Sequence, residues 1–292
     1  MDPLTLSAIA FTLLLWASAF AGIRSGLAGF SPGHLALLRF LTASLTLLLF
    51  SALRGIRLPR SSDLGRIALL GFLGITVYHL ALNFGEKTVS AGAASMLIAA
   101  GPIFTAFLAA VFLRERLPLP AWAGIGLGFL GVALISLGEG GGLRFNAGAF
   151  WILLAAFSTS LYFVFQKPLH GRYAPLEVAA YTIWAGTVWL LVLLPGLPEE
   201  LTAAPRQAAW SVVYLGVGPG ALAYLTWTFA LSRAPASHVT NFLYLSPALA
   251  IAIAWLWLGE LPSLTTLIGG VVAIVGVIVT HFAARSGRAA AS

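Results

Sequence analysis

Side chains that can hydrogen-bond or exchange protons follow one another in the apolar segment GFLGITVYHLALNFGEK, residues 71–87. Thr76, His79, Asn83 and Glu86 are spaced by three, four and three residues, so a helix would place them on one face. Such a face is costly against lipid, and it therefore either lines a cavity or forms a hydrogen-bonded seam between helices. The imidazole could couple proton movement near neutral pH or simply hold a hydrogen bond. We expect this face to bind a small polar molecule.

A phrase containing a proline and a glutamate occurs twice in the sequence. It reads AAGPIFTAFLAAVFLRERLP at residues 99–118 and LSPALAIAIAWLWLGELP at residues 245–262, and the two prolines, Pro102 and Pro247, are 145 residues apart. Proline removes a backbone donor and clashes with the carbonyl four residues earlier, so each proline predicts a helix bend. The bends are either hinges that expose a carbonyl to a ligand or purely structural.

The repeat also links candidate binding residues in the two halves of the chain. At the displacement of 145 residues, Tyr224 corresponds to His79 and Asn241 corresponds to Met96. We therefore expect the two halves to line one cavity with different chemistry.

Two pairs of side chains lie four residues apart in the first and sixth apolar segments, Trp16 with Phe20 and Tyr162 with Gln166. They either stack on an aromatic ligand or pack within the helix bundle. The predicted binding residues are Trp16, Thr76, Tyr78, His79, Asn83, Met96, Tyr162, Gln166, Tyr224, Asn241 and Tyr244.

The composition is that of a membrane protein. Of the 292 residues 60% are hydrophobic and 9% are charged, with a mean hydropathy of +0.96, whereas soluble proteins carry about 25% charged residues. The chain has no cysteine, which excludes disulfides and thiolate metal sites. Its basic residues, which give a net charge of +7, are scattered and not clustered with aromatics, so nucleic acid is not an expected partner. We expect neither a cofactor nor a metal.

Ten apolar segments are long enough to cross a bilayer as helices. The opening MDPLTLSAIAFTLLLW lacks a basic region before its apolar run, which indicates a retained span and not a cleaved signal peptide. The predicted fold is therefore an all-α integral membrane protein with ten transmembrane helices. We place them at residues 4–23, 33–53, 65–85, 90–113, 119–137, 147–166, 175–195, 208–230, 236–258 and 262–283. The connecting loops are too short for a soluble domain.

The distribution of Lys and Arg predicts the orientation. Eleven lie on the side of both termini and four on the other side, which places both termini in the cytoplasm of a bacterial-type cell with an inner membrane. Arg39 lies inside the second predicted span. We favour snorkelling of this side chain to the interface over contact with a substrate carboxylate.

The repeat has five predicted helices, an odd number, so its second copy must enter the membrane from the opposite side. We expect residues 1–140 and 146–285 to be inverted repeats that form one transport domain. Inverted repeats favour two conformations open to opposite sides, with a binding site between the halves near the midplane.

These features resemble the EamA-type branch of the drug/metabolite transporter superfamily. The resemblance covers essentially the whole chain and rests on the two five-helix units, on the proline with LRERLP or LGELP, and on the glycine-rich helix that closes each unit. It implies a ten-helix exporter, and the many aromatic and bulky apolar residues look most like members that export aromatic or other neutral amino acids.

Two alternatives stay open. A sugar-phosphate or drug-type carrier of the same superfamily would need several mid-membrane cations for phosphate, and an intramembrane enzyme acting on a lipid-like substrate would need a nucleophile or a metal cluster. The leading interpretation is a transporter and not an enzyme. Its expected partners are a small molecule such as an amino acid, the lipid bilayer and protons exchanged through His79, and we expect a monomer to suffice.

Other conspicuous residues have structural explanations. The glycines of the fifth and tenth predicted helices would allow close helix packing, and Glu115 and Glu260 lie at helix ends, where we expect capping or interface contacts. The glycines are Gly124, Gly126, Gly128, Gly131, Gly269, Gly270 and Gly276.

Overall fold

The computed structural model describes residues 1–112, 118–139, 146–169, 171–234, 239 and 242–289. Its helices in the first half are α1 (Pro3–Gly26), α2 (Pro32–Arg54), α3 (Leu64–Gly71), α4 (Tyr78–Gly85), α5 (Ala91–Ala99), α6 (Gly101–Phe112) and α7 (Leu119–Glu139). The second half contains α8 (Ala147–Gln166), α9 (Pro175–Leu190), α10 (Leu197–Ala203), α11 (Arg206–Val217), α12 (Ala223–Arg233), α13 (Ser246–Leu258) and α14 (Leu264–Ala289). The described part of the chain contains no strand, so the all-α prediction is confirmed.

The helix ends carry the expected capping residues. Asp2 accepts a hydrogen bond from the Thr5 backbone N–H at 3.0 Å, and Ser31 caps α2. A proline follows each of these caps, where its missing N–H costs nothing. At the other end of α2, Gly55 has φ of 70°, the left-handed conformation that glycine adopts at helix ends.

Within the part of the chain that the structure describes, seven segments are long and apolar enough to cross a membrane. They are Pro3–Gly26, Pro32–Leu53, Ser61–Gly85, Leu119–Glu139, Ala147–Gln166, Pro175–Leu193 and Arg206–Arg233. Three shorter apolar segments, Ala91–Thr105, Phe242–Leu258 and Leu264–Thr280, lie between or after them. These ten segments fall within the ten predicted spans or overlap them, but the number of crossings stays a prediction.

Irregular turns lie at matching places in the two halves. The fourth apolar segment breaks at Ala100, between α5 and α6, and a 3₁₀ turn, Phe242–Leu245, leads directly into α13. Each interruption lies immediately ahead of a proline that cannot donate to the preceding turn. The third segment also contains a π turn, Phe72–Val77, and its counterpart in the second half is Gly218–Leu222. Such π turns leave carbonyls available to other partners and often occur at functional sites.

The glycine-rich helices α7 and α14 pack against each other with their backbones in contact. A methyl group added at Gly131 would meet backbone atoms of Gly269 and Ala273, and one at Gly276 would meet backbone atoms of Gly124 and Gly128. We call this contact the glycine seam. Close packing is therefore confirmed for these glycines.

The other glycines of the two helices have different surroundings. Gly126 has open space where a methyl group would lie, so its predicted packing role is wrong: it is an exposed position on α7. Gly128 faces Ile103 of α6 and Gly270 faces Met96 of α5.

The two halves are interlaced and not laid side by side. From the first half, α1 packs on α11, α12 and α13. From the second half, α8 packs on α4, α5 and α6. The helices α2 and α9 pack on each other and each also contacts the opposite half. Helices of both halves therefore contribute to the packing around several of the predicted binding residues.

Candidate functional site

Aromatic side chains from α1 and α8 lie against the two π turns. The indole nitrogen of Trp16 donates to the carbonyl of Pro219 at 3.3 Å, and its ring lies 5.6 Å from that of Tyr224 in an edge-on arrangement. In the other half the Tyr162 ring covers Gly74 so closely that a methyl group there would clash. Gly74 and Pro219 are 145 residues apart. Each half thus inserts an aromatic side chain against the irregular helix of the other half.

The helix α8 also binds the carbonyls that these irregularities leave available. Ser158 donates to the carbonyl of Leu73 in the first π turn at 2.8 Å. Ser160 donates to the carbonyl of Gly101 at 3.0 Å, where the chain restarts as α6. The backbone near the predicted hinge at Pro102 is therefore held by a side chain of the opposite half.

Two members of the polar face form hydrogen bonds between helices. Thr76 Oγ1 donates to the carbonyl of Gly186 on α9 at 3.1 Å, and Asn83 Nδ2 donates to the carbonyl of Pro32 at 2.9 Å. These contacts fit the second of the two alternatives for the polar face, a hydrogen-bonded seam between helices instead of a cavity lining. Among the described residues Asn83 Oδ1 has no partner.

His79 and Arg39 meet around the ring of Phe40. The imidazole lies 4.4 Å from the Phe40 ring, and the Arg39 guanidinium lies 5.4 Å from the same ring. Arg39 is only 5% exposed, so the prediction that it snorkels to the interface is wrong. Helix α2 packs on α4, α9 and α11 and thereby encloses the side chain. Within the described residues His79 Nδ1 and Arg39 Nε and Nη1 have no hydrogen-bond partner.

Glu86 follows the last residue of α4 and is fully buried. Neither carboxylate oxygen has a hydrogen-bond partner in the described part of the chain. The Nη1 group of Arg24 donates to the backbone carbonyl of Glu86 at 2.6 Å and not to its carboxylate. Arg39, His79, Asn83 and Glu86 thus form a set of buried side chains on α2 and α4 with unsatisfied polar atoms.

The end of the bundle next to Glu86 is closed by a second set of contacts. Arg24 Nη2 and Nε donate to Glu260 Oε1 at 2.8 Å and 3.0 Å. The other oxygen of Glu260 accepts from the backbone N–H of Ala91, at the start of α5, at 3.1 Å. Glu260 therefore has the capping and interface role expected of it, whereas Glu115 lies outside the described residues. We call this group of Arg24, Glu260 and the start of α5 the Arg24 gate.

A short helix outside the apolar segments anchors the start of α2. Glu200 of α10 accepts from the Ser31 backbone N–H at 2.9 Å and lies 2.8 Å from His34 Nδ1. Burial acts to raise the pKa of Glu200, but hydrogen bonds from Ser31 and His34 outweigh it and lower that pKa below its usual range. The loop predicted around GLPEELTAAPRQ thus contributes Glu200, which contacts the start of α2.

The remaining predicted residues are dispersed. Met96 is buried and packs on Gly270 of α14, while Tyr244 is half-buried on the 3₁₀ turn before α13. Gln166 is half-buried at the end of α8. Asn241 lies outside the described residues. The ring of Tyr78 lies 4.5 Å from that of His79 and is half-buried.

Two surface grooves lie away from these residues. One is lined by residues of α7 and α8 that include Ser136 and Phe150, and the other by residues of α11 and α13 that include Trp210 and Trp257. Neither groove contains a predicted binding residue.

Sequence reasoning recognised the polar face but missed the Arg24 gate and the burial of Arg39. An arginine within an apolar span was the available signal for Arg39. Arg24 and Glu260 are 236 residues apart in the chain, and no local pattern pairs them.

The proteins that this chain resembles are named as transporters or exporters. The chain is 49% identical to the uncharacterized transporter YdfC of Bacillus subtilis over 91% of this chain and 87% of that protein. It is 42% identical to a probable terminal-alkyne amino-acid exporter of Streptantibioticus cattleyicolor, over 94% of this chain and 92% of the relative. A solved crystal structure shares its fold, with a TM-score of 0.63 at 20% identity, over 98% of this chain and 99% of the other.

The sequence profile of the EamA-like transporter family matches this chain twice, at residues 4–137 and 146–282. The two matches together span most of the sequence, and the resemblance noted from the motifs is thereby confirmed. The chain is a membrane transporter and belongs to the EamA-like transporter family.

Proposed function

We propose that this protein is a secondary transporter that exports small neutral or aromatic amino acids by alternating access. The observation that carries the proposal is Arg39, an arginine buried in an apolar bundle with two unpartnered nitrogens among the described residues. A buried charge without a partner is costly, so a ligand that supplies the missing acceptors would recover part of that cost. One relative is named as a probable exporter of an amino acid, which supports the same ligand class.

The carboxylate of an amino acid fits this position. A guanidinium binds a carboxylate through two parallel hydrogen bonds. Half-buried aromatic residues of the predicted site would contact the side chain of the substrate, and they are Trp16, Tyr78, Tyr162 and Tyr224. Apolar and aromatic contacts discriminate weakly between similar side chains. We therefore expect broad recognition of side chains and strict recognition of the carboxylate.

The architecture supports the transport cycle. We propose ten crossings in two inverted repeats, residues 1–140 and 146–285, with both termini in the cytoplasm of a bacterial-type cell. The helix interruptions at Ala100 and at Phe242–Leu245 would act with Pro102 and Pro247 as hinges. The Arg24 gate closes one end of the bundle, and the predicted residues that the structure describes line neither of the two surface grooves, so we expect the substrate to enter through a rearrangement. One copy of the chain contains the whole proposed pathway.

The other carrier class is less well supported. A sugar phosphate or nucleotide sugar would require several cations near the midplane. Of the Lys and Arg residues, the sequence places only Arg39 inside a predicted span and away from its very ends. An enzyme acting on a lipid would be shown by turnover of lipid by the purified protein.

Transport by purified protein in liposomes tests the proposal. A panel of radiolabelled amino acids should show flux, and the corresponding amines, which lack the carboxylate, should not compete. Arg39→Gln should lower transport of every substrate by about tenfold to a hundredfold, the equivalent of one charged hydrogen-bonding contact. Arg66→Gln, at an exposed position on α3, is the matched control and should behave as the native chain.

Competition by amines that equals competition by amino acids would contradict carboxylate recognition. Unchanged kinetics in folded Arg39→Gln protein would move the binding site away from Arg39.

A further inference from the structure

Glu86 is a buried acid that neither packing nor capping explains. It is 0% exposed, and its backbone N–H donates to the carbonyl of Leu82 at 2.9 Å. Both carboxylate oxygens lack a hydrogen-bond partner within the described residues. An ionised carboxylate cannot be held in this way without a large desolvation cost, whereas the protonated acid can. The arrangement therefore fits a protonated Glu86.

The cationic side chains around Glu86 would stabilise its ionised form if they could rearrange to contact it. Arg24 of α1 already touches the Glu86 backbone carbonyl at 2.6 Å while its other nitrogens bind Glu260. Arg39 of α2 is the second cation on an element packed against α4. A carboxylate and a guanidinium form a strong charged hydrogen bond when both are available. An ionised Glu86 would consequently compete with Glu260 for Arg24.

Other titratable groups near this corner are already engaged or lie farther along the chain. His79 lies two turns earlier on α4, and the neighbouring Lys87 is exposed. Glu139 at the end of α7 accepts from the Ser90 backbone N–H at 2.9 Å and from Thr266 at 3.1 Å. Helix α5 carries no titratable side chain, and α8 carries only Tyr162. At the start of α2, His34 lies 2.8 Å from Glu200 and is already engaged there.

We propose that Glu86 is a proton-exchange site that controls the Arg24 gate. With the proton bound, Arg24 is free to pair with Glu260 and the gate is closed, as in this structure. When the proton leaves to water, the ionised carboxylate draws Arg24 away from Glu260, and the contact between α1, α5 and the end of α13 is broken. Opening of this end thus requires loss of one proton, and closing requires its return. The inference rests on the proposed alternating access, but it does not depend on which substrate is carried.

A cysteine reporter can test this inference without a substrate, because the native chain contains no cysteine. Ala17 is completely buried and lies two turns deeper than Arg24 on the same face of α1. Ala17→Cys in intact cells should react with a membrane-impermeant thiol reagent only when the Arg24 gate opens. Thr202→Cys, at an exposed position on α10, reports the effect of pH on the labelling chemistry and shows which membrane side this end faces. If Thr202→Cys does not react from outside, the same measurements are made in inside-out vesicles.

The expected result is that labelling of Ala17→Cys, divided by that of Thr202→Cys, rises with pH. The rise should be up to about tenfold for each pH unit over which Glu86 ionises. Glu86→Gln, which imitates the protonated acid, should keep the ratio low at every pH. Glu260→Gln, which weakens the Arg24–Glu260 contact that ionised Glu86 is proposed to break, should raise the ratio at low pH and reduce its dependence on pH. Glu86→Asp should shift the midpoint and serves as the deciding variant if Glu86→Gln does not fold.

Labelling of Ala17→Cys that is independent of pH in the native background would overturn the inference. The inference would also be overturned if labelling of Ala17→Cys still depended on pH in Glu86→Gln, or if Glu86→Asp left the midpoint of that pH dependence unchanged. Loss of the pH dependence in His79→Gln would assign it to His79 and contradict the inference as well. Failure of every amino acid to be transported would count against the proposed function and would leave the labelling result standing.

Discussion

Replacement of Gly131 by alanine should weaken the glycine seam between α7 and α14. A methyl group at this position would lie 2.6 Å from the carbonyl oxygen of Gly269 and 2.7 Å from the Cα of Ala273. Both are backbone atoms, so they cannot move aside as a flexible side chain would. Ordinary contact begins near 3.4 Å, and the two helices would have to separate by about 1 Å to accept the methyl group.

The magnitude follows from two opposing terms. Overpacking of this kind costs about 1–3 kcal/mol, whereas alanine gains about 1 kcal/mol over glycine in a helix. Gly131→Ala should therefore lose about 0–2 kcal/mol of stability. Gly126→Ala on the same helix is the matched control, because it has open space for the methyl group and should gain up to about 1 kcal/mol. The two variants should differ by about 1–3 kcal/mol.

Thermal unfolding of the purified proteins in detergent measures this difference. For a chain of this size it corresponds to a Tm that is lower by about 2–6 °C in Gly131→Ala than in Gly126→Ala. Equal Tm values for the two variants would show that the backbones of α7 and α14 are not in contact at Gly131.

Three further predictions concern recognition, orientation and pH. Trp16→Ala and Tyr162→Ala should change the preference among amino-acid side chains more than the overall rate, which competition in liposomes would reveal; a uniform loss for all substrates would indicate a packing role. Cysteines at Thr202 and Ser286 should react from opposite sides of the membrane, and labelling from the same side would refute the proposed topology. The pKa of Glu200 is lowered in the folded chain. The contacts of the ionised Glu200 with Ser31 and His34 therefore stabilise the fold at a pH above the pKa that Glu200 has in the unfolded chain. This stabilisation is lost as the pH falls through the pKa of Glu200 in the folded chain. Native protein should thus lose more stability on acidification than Glu200→Gln, and an equal loss would contradict this.

The sequence predicted the helical segments well where hydropathy alone decides. The sixth predicted span coincides with α8, residues 147–166, because apolar residues fill it and polar or turn residues bound it. The break at Ala100 and the π turns were not predicted in this form. A proline indicates a bend, but whether the chain bends, breaks or forms a π turn depends on partners such as Ser158 and Ser160 from another helix.

The candidate site was only partly accessible to the same reasoning. Helical spacing brought Thr76, His79 and Asn83 to one face, but it could not show that Thr76 and Asn83 donate to neighbouring backbones. The burial of Arg39 depends on how α2 packs against three other helices, which no local pattern contains. That the Glu86 carboxylate is buried without a hydrogen-bond partner among the described residues depends on side chains of other helices, and the sequence does not specify these contacts.

The glycine seam also has a consequence for biosynthesis. Gly131 and its neighbours on α7 leave the ribosome well over a hundred residues ahead of Gly269 and Gly276 on α14. Until the last helix is inserted, α14 does not cover the glycine face of α7, and lipid tails fill the shallow space between glycines poorly. The nascent protein would therefore expose a recognisable unfinished surface throughout translation of its second half.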